Sequence, residues 1–335
     1  MTSSPPAEVH LRVHTVDEVL DVVPHLLGFH PAESLVILVV EGGVVAVTAR
    51  VDLADIRRPG AVEGLLGRIW QRFPAAGAWF VAYTGDHGLG WHLLGRCAAF
   101  LAPAELRRLT LVDGATWWDG SPRGRSGTHE PGRGPVAAAA AFHGLTARGC
   151  RAELEACLAG PPAADEGLLL TALAAASREL DAVEKAAWPA RMAREVRAAV
   201  AAGTVDDEAA ARLALLSCHR RSRDAALLLI TRFDAARHLS VWQRVVNRVP
   251  EGRSGNAVAL AGMAAWVCGD GALVSICLEK LARVPADPEL PAVLAWVTDE
   301  VVPPAVWESM RDGLLDATTA AVRRAVCRPA SRRGR

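Results

Sequence analysis

The chain has 335 residues, of which 51% are hydrophobic and 22% charged, and its mean hydropathy is +0.19. This composition excludes a globally disordered chain, because there is enough apolar surface to bury a core, and the length suits one large domain or two. Thirty-seven basic residues balance 37 acidic residues, so no net charge attracts nucleic acid or an anionic membrane.

The motifs that the chain lacks exclude several further classes of protein. Its longest apolar stretches, residues 34–40 and 44–51, fall well short of the roughly 18 residues that a membrane-spanning helix needs. Residues 1–14 lack the basic start and apolar segment of a secretory signal, so we expect a cytoplasmic protein. The seven cysteines form no C-x-x-C pair, and metal-binding and phosphate-binding motifs are missing from the sequence. We therefore expect no disulfide framework, no metal and no cofactor.

The first predicted elements are a helix and a β-hairpin. Apolar residues at helical spacing predict a helix over residues 16–27. Residues 34–40 are β-branched and aliphatic, which is typical of a strand buried on both faces, and residues 44–51 return as its antiparallel partner. Gly42 and Gly43 between them supply the positive φ angles that a tight hairpin requires.

Two more pairs of helix and strand follow the hairpin. The pattern predicts helices over residues 59–73 and 89–101, and strands over residues 78–84 and 109–117. A succession of strands and helices favours parallel strands with right-handed crossovers, and the hairpin adds one antiparallel pair. We therefore predict an α/β domain over residues 1–118, with a mixed, mostly parallel sheet.

The composition changes sharply after the last predicted strand. Residues 119–146 are rich in glycine, proline and arginine, which predicts a loop and linker that is either functional or disordered. Amphipathic segments punctuated by glycine and proline predict an all-α domain over residues 147–326, either a helical bundle or a short repeat-like array. Residues 327–335 form a basic tail that we expect to be disordered.

Side chains able to do chemistry are concentrated at one end of the predicted hairpin. Six residues make up the candidate ligand-binding site: Phe29, His30, Glu33, Ser34, Arg50 and Asp52. The first four lie in the turn before the first strand of the hairpin, and the second strand ends with the other two. Because a hairpin brings its two outer ends together, we expect the six residues to converge.

This cluster has a functional and a structural interpretation. In the functional one, His30 acts as a general base, Asp52 orients it and Arg50 binds an anionic group. In the structural one, His30 bonds a neighbouring carbonyl, Ser34 caps the turn, and Arg50 and Asp52 form an ion pair that holds the hairpin. The adjacent tryptophans at 117–118 likewise either stack on a ligand or cover the core.

Two short motifs resemble a family of actinobacterial proteins known as domain of unknown function 4192. They are LGFHPAESL at Leu27–Leu35 and TARVDL at Thr48–Leu53. The resemblance extends through Trp117-Trp118, Arg223-Asp224-Ala225 and residues 264–272, and so covers most of the chain. It implies an α/β front half and a helical back half, with no established activity. Family members continue after the tryptophans with a Ser-Tyr-x-Cys segment, where this chain has DGSP at residues 119–122.

The sequence predicts a non-enzymatic binding protein. Its partner is either a small molecule at the candidate site or a protein that contacts the helical domain. The alternative is a hydrolase or transferase that uses His30, Asp52 and Arg50. Neither a membrane nor a nucleic acid is the expected partner, because nucleic-acid binding would need the arginines to gather on one face.

Overall fold

A computed structural model describes residues 13, 15–56, 58, 60–132, 134–142 and 147–315. The predicted basic tail, residues 327–335, lies outside the described residues. The chain divides into two compact units, each assembled from three segments. Unit 1 takes the described parts of residues 1–159, 270–283 and 291–302, and unit 2 takes those of residues 160–269, 284–290 and 303–335.

Unit 1 is built on one six-stranded sheet: β1 (Ser34–Glu41), β2 (Val44–Asp52), β3 (Gly77–Tyr83), β4 (Leu106–Asp113), β5 (Thr116–Asp119) and β6 (Arg125–Thr128). The strands lie in the order β2-β1-β3-β4-β5-β6. The mixed sheet followed by helices is as predicted, but the parallel share is smaller than expected. Among the described strands only β3 and β4 pair in parallel. Short connections join β1 to β2, β4 to β5 and β5 to β6, and short connections impose antiparallel pairing. Strand β3 also runs antiparallel to its neighbour β1.

The described residues form the following helices in chain order: α1 (Val16–Leu27), α2 (Leu53–Ile56), α3 (Ala61–Arg72), α4 (His87–Phe100), α5 (Pro135–Phe142), α6 (Arg151–Glu155), α7 (Glu166–Asp181), α8 (Trp188–Ala202), α9 (Asp207–Ser217), α10 (Arg220–Leu227), α11 (Ala235–Val246), α12 (Glu251–Cys268), α13 (Gly271–Leu281) and α14 (Glu289–Asp299). Unit 2 contains α7 to α12, while α13 and most of α14 belong to unit 1. No helix among the described residues is both long and apolar enough to cross a bilayer.

The predicted hairpin is confirmed and forms one side of the sheet, with β2 as the edge strand and β1 buried beside it. Gly42 and Gly43 have φ angles of 58° and 84°, as a tight turn between antiparallel strands requires. Leu35, Ile37 and Val39 of β1 pack into a core that also takes residues from α2, α3 and α4. Their neighbours along β1 are buried against the opposite side of the sheet, so the strand is covered on both faces.

The segment predicted as loop and linker contains regular structure. Gly114, with a φ of 56°, divides the predicted strand over residues 109–117 into β4 and β5. Strand β6 then pairs with β5, and α5 follows. The sequence did not predict β6, because the residues of this strand are mostly exposed and show no apolar alternation. Gly127 is required there, since a Cβ atom would stand 2.5 Å from the Trp117 ring.

Unit 2 is helical and is organised around α12, which is buried from Ser254 to Val267. Its close packing depends on small residues: a Cβ atom on Gly255 would stand 2.0 Å from the carbonyl oxygen of Pro285. Trp307 is buried and its indole N–H donates to the carbonyl of Ile230 at 2.8 Å. The predicted all-α character of this part of the chain is confirmed.

Candidate functional site

The turn between α1 and β1 is anchored by main-chain hydrogen bonds. A capping box of Thr15 and Glu18 starts α1, and Gly28 ends it with a φ of 78°. The His30 N–H donates to the Arg148 carbonyl at 3.0 Å, and the Arg148 N–H donates to the Gly28 carbonyl at 2.8 Å. These two main-chain hydrogen bonds join the turn that follows α1 to Arg148.

Glu33 closes the turn in a strained conformation. Its φ of 41° is in the left-handed region, which costs a residue with a side chain roughly 1–3 kcal/mol. Its carbonyl accepts a hydrogen bond from the Leu53 N–H at 3.0 Å, and its carboxylate accepts one from the Thr84 hydroxyl at 3.0 Å. Thr84 in turn accepts a bond from the Asp86 N–H at 3.1 Å. These contacts hold the carboxylate at the end of β3.

Arg50 and Asp52 form an ion pair beside the turn. Two hydrogen bonds of 2.6 and 3.2 Å join the guanidinium to the carboxylate. Arg50 also donates to the Ala32 carbonyl at 3.4 Å, and its Cζ atom lies 5.3 Å from the centre of the Phe29 ring. Since Phe29 is buried, this group of contacts ties the end of the hairpin to the turn.

Ser34 and Tyr83 lie opposite each other on β1 and β3. Ser34 is 0% exposed, and neither its hydroxyl nor that of Tyr83 has a hydrogen-bond partner among the described residues. Burial raises the pKa of the Tyr83 phenol far above its usual range, so Tyr83 is a neutral donor. An unsatisfied buried hydroxyl typically costs about 1–3 kcal/mol, which makes this pair an unusual feature of the sheet.

A cleft of about 270 Å³ opens at this end of the sheet. It lies where β1 begins and where the parallel strands β3 and β4 end, the edge at which open α/β sheets commonly bind ligands. Leu20, Pro24 and Val112 contribute to an apolar wall. The polar lining residues are His30, Glu33, Tyr83, Thr84, Asp113 and His129. An apolar wall with a few convergent polar groups is the usual composition of a small-molecule site.

The imidazole of His30 is poorly suited to carry a charge in this cleft. Burial lowers its pKa below the ordinary value, and His25 and His129 lower it further. His30 is therefore neutral near pH 7, with one ring nitrogen available as a donor and the other as an acceptor. Glu33 and Asp113 supply the carboxylates, and the described lining residues include no lysine or arginine. This arrangement favours an uncharged or cationic ligand.

The structure brings the six candidate residues together but divides them into two groups. His30 and Glu33 line the cleft, while Arg50 and Asp52 form the ion pair beside it. Phe29 belongs with the ion pair, and Ser34 is buried next to Tyr83. Because Arg50 holds the Asp52 carboxylate, that carboxylate serves the ion pair rather than His30. Whether the cluster binds a ligand stays a prediction.

Four polar lining residues were missed in the sequence: Tyr83, Thr84, Asp113 and His129. The first three lie at the carboxyl ends of β3 and β4. Open α/β sheets commonly bind ligands at the carboxyl ends of parallel strands, and applying this rule to the sequence would have found these residues. His129 follows β6 and is held by a hydrogen bond from its N–H to the Ala115 carbonyl at 2.7 Å. The sequence offered no way to place His129 at the cleft, because the preceding strand β6 has no apolar pattern and was not predicted.

The neighbouring aromatic residues support the fold. Trp117 is buried, and its indole N–H donates to Asp17 at 2.7 Å. Trp118 packs on the core and lies against His87, with ring centres 4.5 Å apart, while His87 pairs with Asp113 at 3.1 Å. In the described part of the chain no three histidine, cysteine or acidic side chains are grouped to hold a metal ion.

Comparison with known proteins places the chain in a family. The family profile described as Domain of unknown function (DUF4192) matches residues 17–305. That range includes both motifs of the hairpin end and all the residues named above as lining the cleft. No curated protein and no solved structure matches the chain. Since the match spans most of the sequence, the chain belongs to the family Domain of unknown function (DUF4192).

Proposed function

We propose that unit 1 binds a small polar molecule in the cleft formed by His30, Glu33, Tyr83, Thr84 and Asp113. The observation that carries this proposal is the hydroxyl of Tyr83, a residue that lines the cleft: the hydroxyl is buried and has no partner among the described residues. A ligand that accepts its hydrogen bond would remove the cost of leaving it unpaired.

The lining indicates the chemistry of the ligand. A volume of about 270 Å³ lies just below the range of roughly 300–1,000 Å³ that is typical of drug-sized ligands, so the ligand is small. The carboxylates of Glu33 and Asp113 accept hydrogen bonds, and the apolar wall takes a hydrocarbon face. These features fit a compact molecule with hydroxyl or amino groups and without an anionic group.

Native mass spectrometry of wild-type protein, Tyr83→Phe and His30→Gln tests the proposal. We expect the wild type to carry a small added mass that both variants lose, with affinity for that compound falling about tenfold, or about 1.4 kcal/mol, in Tyr83→Phe. The melting temperature of Tyr83→Phe should not fall, because the lost hydroxyl makes no hydrogen bond in the described structure.

Asp52→Asn is the matched control, because it alters the ion pair beside the cleft and leaves the lining unchanged. It should retain the ligand. If the purified wild type is empty, a library of small amines and polyols is screened by ligand-observed NMR. An empty protein that binds none of these compounds, or equal binding to wild type and Tyr83→Phe, would contradict the proposal.

A second candidate function is a hydrolase or transferase with His30 as general base. The specific observation in its favour is the lowered pKa of His30, which leaves the imidazole unprotonated and able to accept a proton at neutral pH. The test is the mass of the bound compound over time. Conversion of the compound by the wild type would support an enzyme, whereas an unchanged compound would support binding alone.

We propose that the protein acts in the cytoplasm. The six described cysteines are free thiols, which is the usual state of cysteine in a reducing compartment.

A protein partner for the helical part of the chain also stays a proposal. Leu168 and Leu170 on α7 are strongly exposed apolar residues that such a partner would cover. Substituting both with serine should abolish any complex that unit 2 forms.

A further inference from the structure

The cleft of unit 1 has a hydrogen-bond donor that the described residues leave unpaired. The Tyr83 hydroxyl is buried without a partner among them, and Ser34, its direct neighbour across β1 and β3, does not bond it. The raised pKa of Tyr83 keeps the phenol protonated, so the group offers an O–H. A ligand that satisfies Tyr83 must therefore contain a hydrogen-bond acceptor.

A carboxylate with spare acceptor positions lies at the same end of β3. Thr84, which follows Tyr83 in the chain, donates to Glu33 Oε2 at 3.0 Å. Glu33 is exposed and lines the cleft, and a single hydrogen bond uses only part of a carboxylate, which has about four acceptor positions. A ligand in the cleft can therefore donate to Glu33 while it accepts from Tyr83.

The other polar groups of the lining add no positive charge at neutral pH. Neutral His30 offers one donor and one acceptor, and Asp113 is a second carboxylate, whose Oδ2 atom pairs with His87 at 3.1 Å. The described lining residues include no lysine or arginine. An anionic ligand would therefore meet two carboxylates without a permanent counter-charge, which is unfavourable.

Simple polar groups match this lining to different extents. An ammonium group only donates, so it leaves Tyr83 unpaired, and a carboxylate only accepts, so it cannot bond Glu33. A hydroxyl group does both but has a single proton to donate. A carboxamide joins a carbonyl oxygen with two lone pairs to an NH2 group with two donors. It therefore satisfies Tyr83 and Glu33 together.

We propose that the cleft recognises a primary carboxamide, whose carbonyl oxygen accepts from Tyr83 and whose NH2 group donates to Glu33. A compact apolar group completes the ligand and packs on the wall to which Leu20, Pro24 and Val112 contribute. This inference rests on the proposed function, because it names the ligand class of the same cleft. Tyr83 and Glu33 are then the residues that determine specificity.

Ligand-observed NMR titrations with four probes test the inference: benzamide, benzylamine, benzyl alcohol and benzoate. The probes share a phenyl ring and differ in the polar group, so their ranking reports that group alone. We expect benzamide to bind the wild type saturably with a Kd of about 1 mM or lower, as suits a ligand of this size. Benzylamine and benzyl alcohol should bind at least about tenfold more weakly, and benzoate should not bind, because each lacks part of the match.

Two substitutions examine the two contacts separately. Tyr83→Phe should weaken benzamide binding about tenfold and leave benzylamine binding unchanged, because an ammonium group does not bond the hydroxyl. Glu33→Gln should weaken the binding of both probes, because a neutral carbonyl is a poorer acceptor than a carboxylate. Asp52→Asn, which alters the ion pair beside the cleft, is the matched control and should bind benzamide as the wild type does.

The ranking of the probes on the wild type requires no variant to fold. The inference is overturned if another probe binds as tightly as benzamide, if none of the four binds, or if Tyr83→Phe binds benzamide as tightly as the wild type. The proposed function survives the first two results when native mass spectrometry or the screen of amines and polyols finds a different ligand that Tyr83→Phe loses. It fails with the inference when those experiments also find no ligand.

Discussion

His30 lies half-buried in the cleft, where burial and two nearby histidines disfavour its charged form. Its native pKa is lowered from 6.5, so below that value the unfolded chain takes up a proton more readily than the native protein does. The resulting stability is fully present above about pH 6.5 and is lost as the pH falls towards the lower native pKa. We therefore expect wild-type protein to lose more free energy of unfolding than His30→Gln between about pH 7.5 and about pH 5.5.

Urea unfolding of both proteins at several pH values measures this difference. Curves that run parallel over that pH range would show that the native pKa of His30 is not lowered. His25→Gln serves as a partial control, because it removes one of the smaller influences on His30 and keeps the main one, burial. His25→Gln should lose less free energy of unfolding on acidification than the wild type does, but more than His30→Gln.

Arg223 is a buried cation that joins α10 to the segment before α14 within unit 2. Its side chain is 2% exposed and pairs with Asp287 and Glu289, each at 2.7 Å. The Glu289 backbone N–H and the Arg223 guanidinium lower the pKa of Asp287. We expect Arg223→Met to destabilise the protein by about 2–3 kcal/mol, less than the roughly 3–5 kcal/mol for a fully buried pair, because both carboxylates remain partly solvated.

Thermal and urea unfolding check this value, with Arg221→Met as the matched control. Arg221 lies on the same helix and is exposed, so its replacement should change the free energy of unfolding by no more than about 0.5 kcal/mol. An equal loss in the two variants would mean that the buried ion pairs of Arg223 contribute little.

At the scale of the element, α4 positions the end of β3 through a glycine. A Cβ atom on Gly90 would stand 2.5 Å from Leu111 and 3.1 Å from Thr84, so α4 approaches the sheet as closely as it does only because that side chain is missing. Gly90→Ala should destabilise the protein by about 1–3 kcal/mol through overpacking. It should also weaken ligand binding, since Thr84 bonds Glu33 in the cleft.

Gly95 on the same helix provides the opposite case. It is exposed, and nothing lies within 4 Å of a Cβ atom built there. Gly95→Ala should therefore stabilise the protein by up to about 1 kcal/mol, because alanine favours the helix. Melting temperatures that change in the same direction for both substitutions would contradict the packing argument.

Elements were predictable where burial imposes a period on the sequence. The hairpin of β1 and β2 and helices α1, α3 and α4 carry such a period, and all of them are found close to their predicted bounds. Strands β5 and β6 do not, since β5 has four residues and β6 is mostly exposed. Pairing of main-chain groups specifies these two strands, and it leaves little trace in the choice of side chains.

At the scale of the whole molecule, the division into units does not follow the order of the chain. Residues 270–283 return to unit 1, where Lys280 donates to the Leu158 carbonyl at 2.7 Å and Arg151 pairs with Glu279 at 2.6 Å. Such contacts join residues more than 100 positions apart. A helical pattern shows that α13 has a buried face and not which surface buries it.

The sequence by itself determined the mixed α/β front part, the helical back part, the hairpin of β1 and β2 and the end of the sheet at which side chains converge. These features follow from local periodicity and turn chemistry, which each segment carries within itself. Only the tertiary structure decided that Arg50 and Asp52 pair with each other, and that Tyr83, Asp113 and His129 join His30. The physical reason is that distances and unsatisfied hydrogen bonds between distant segments depend on how those segments pack.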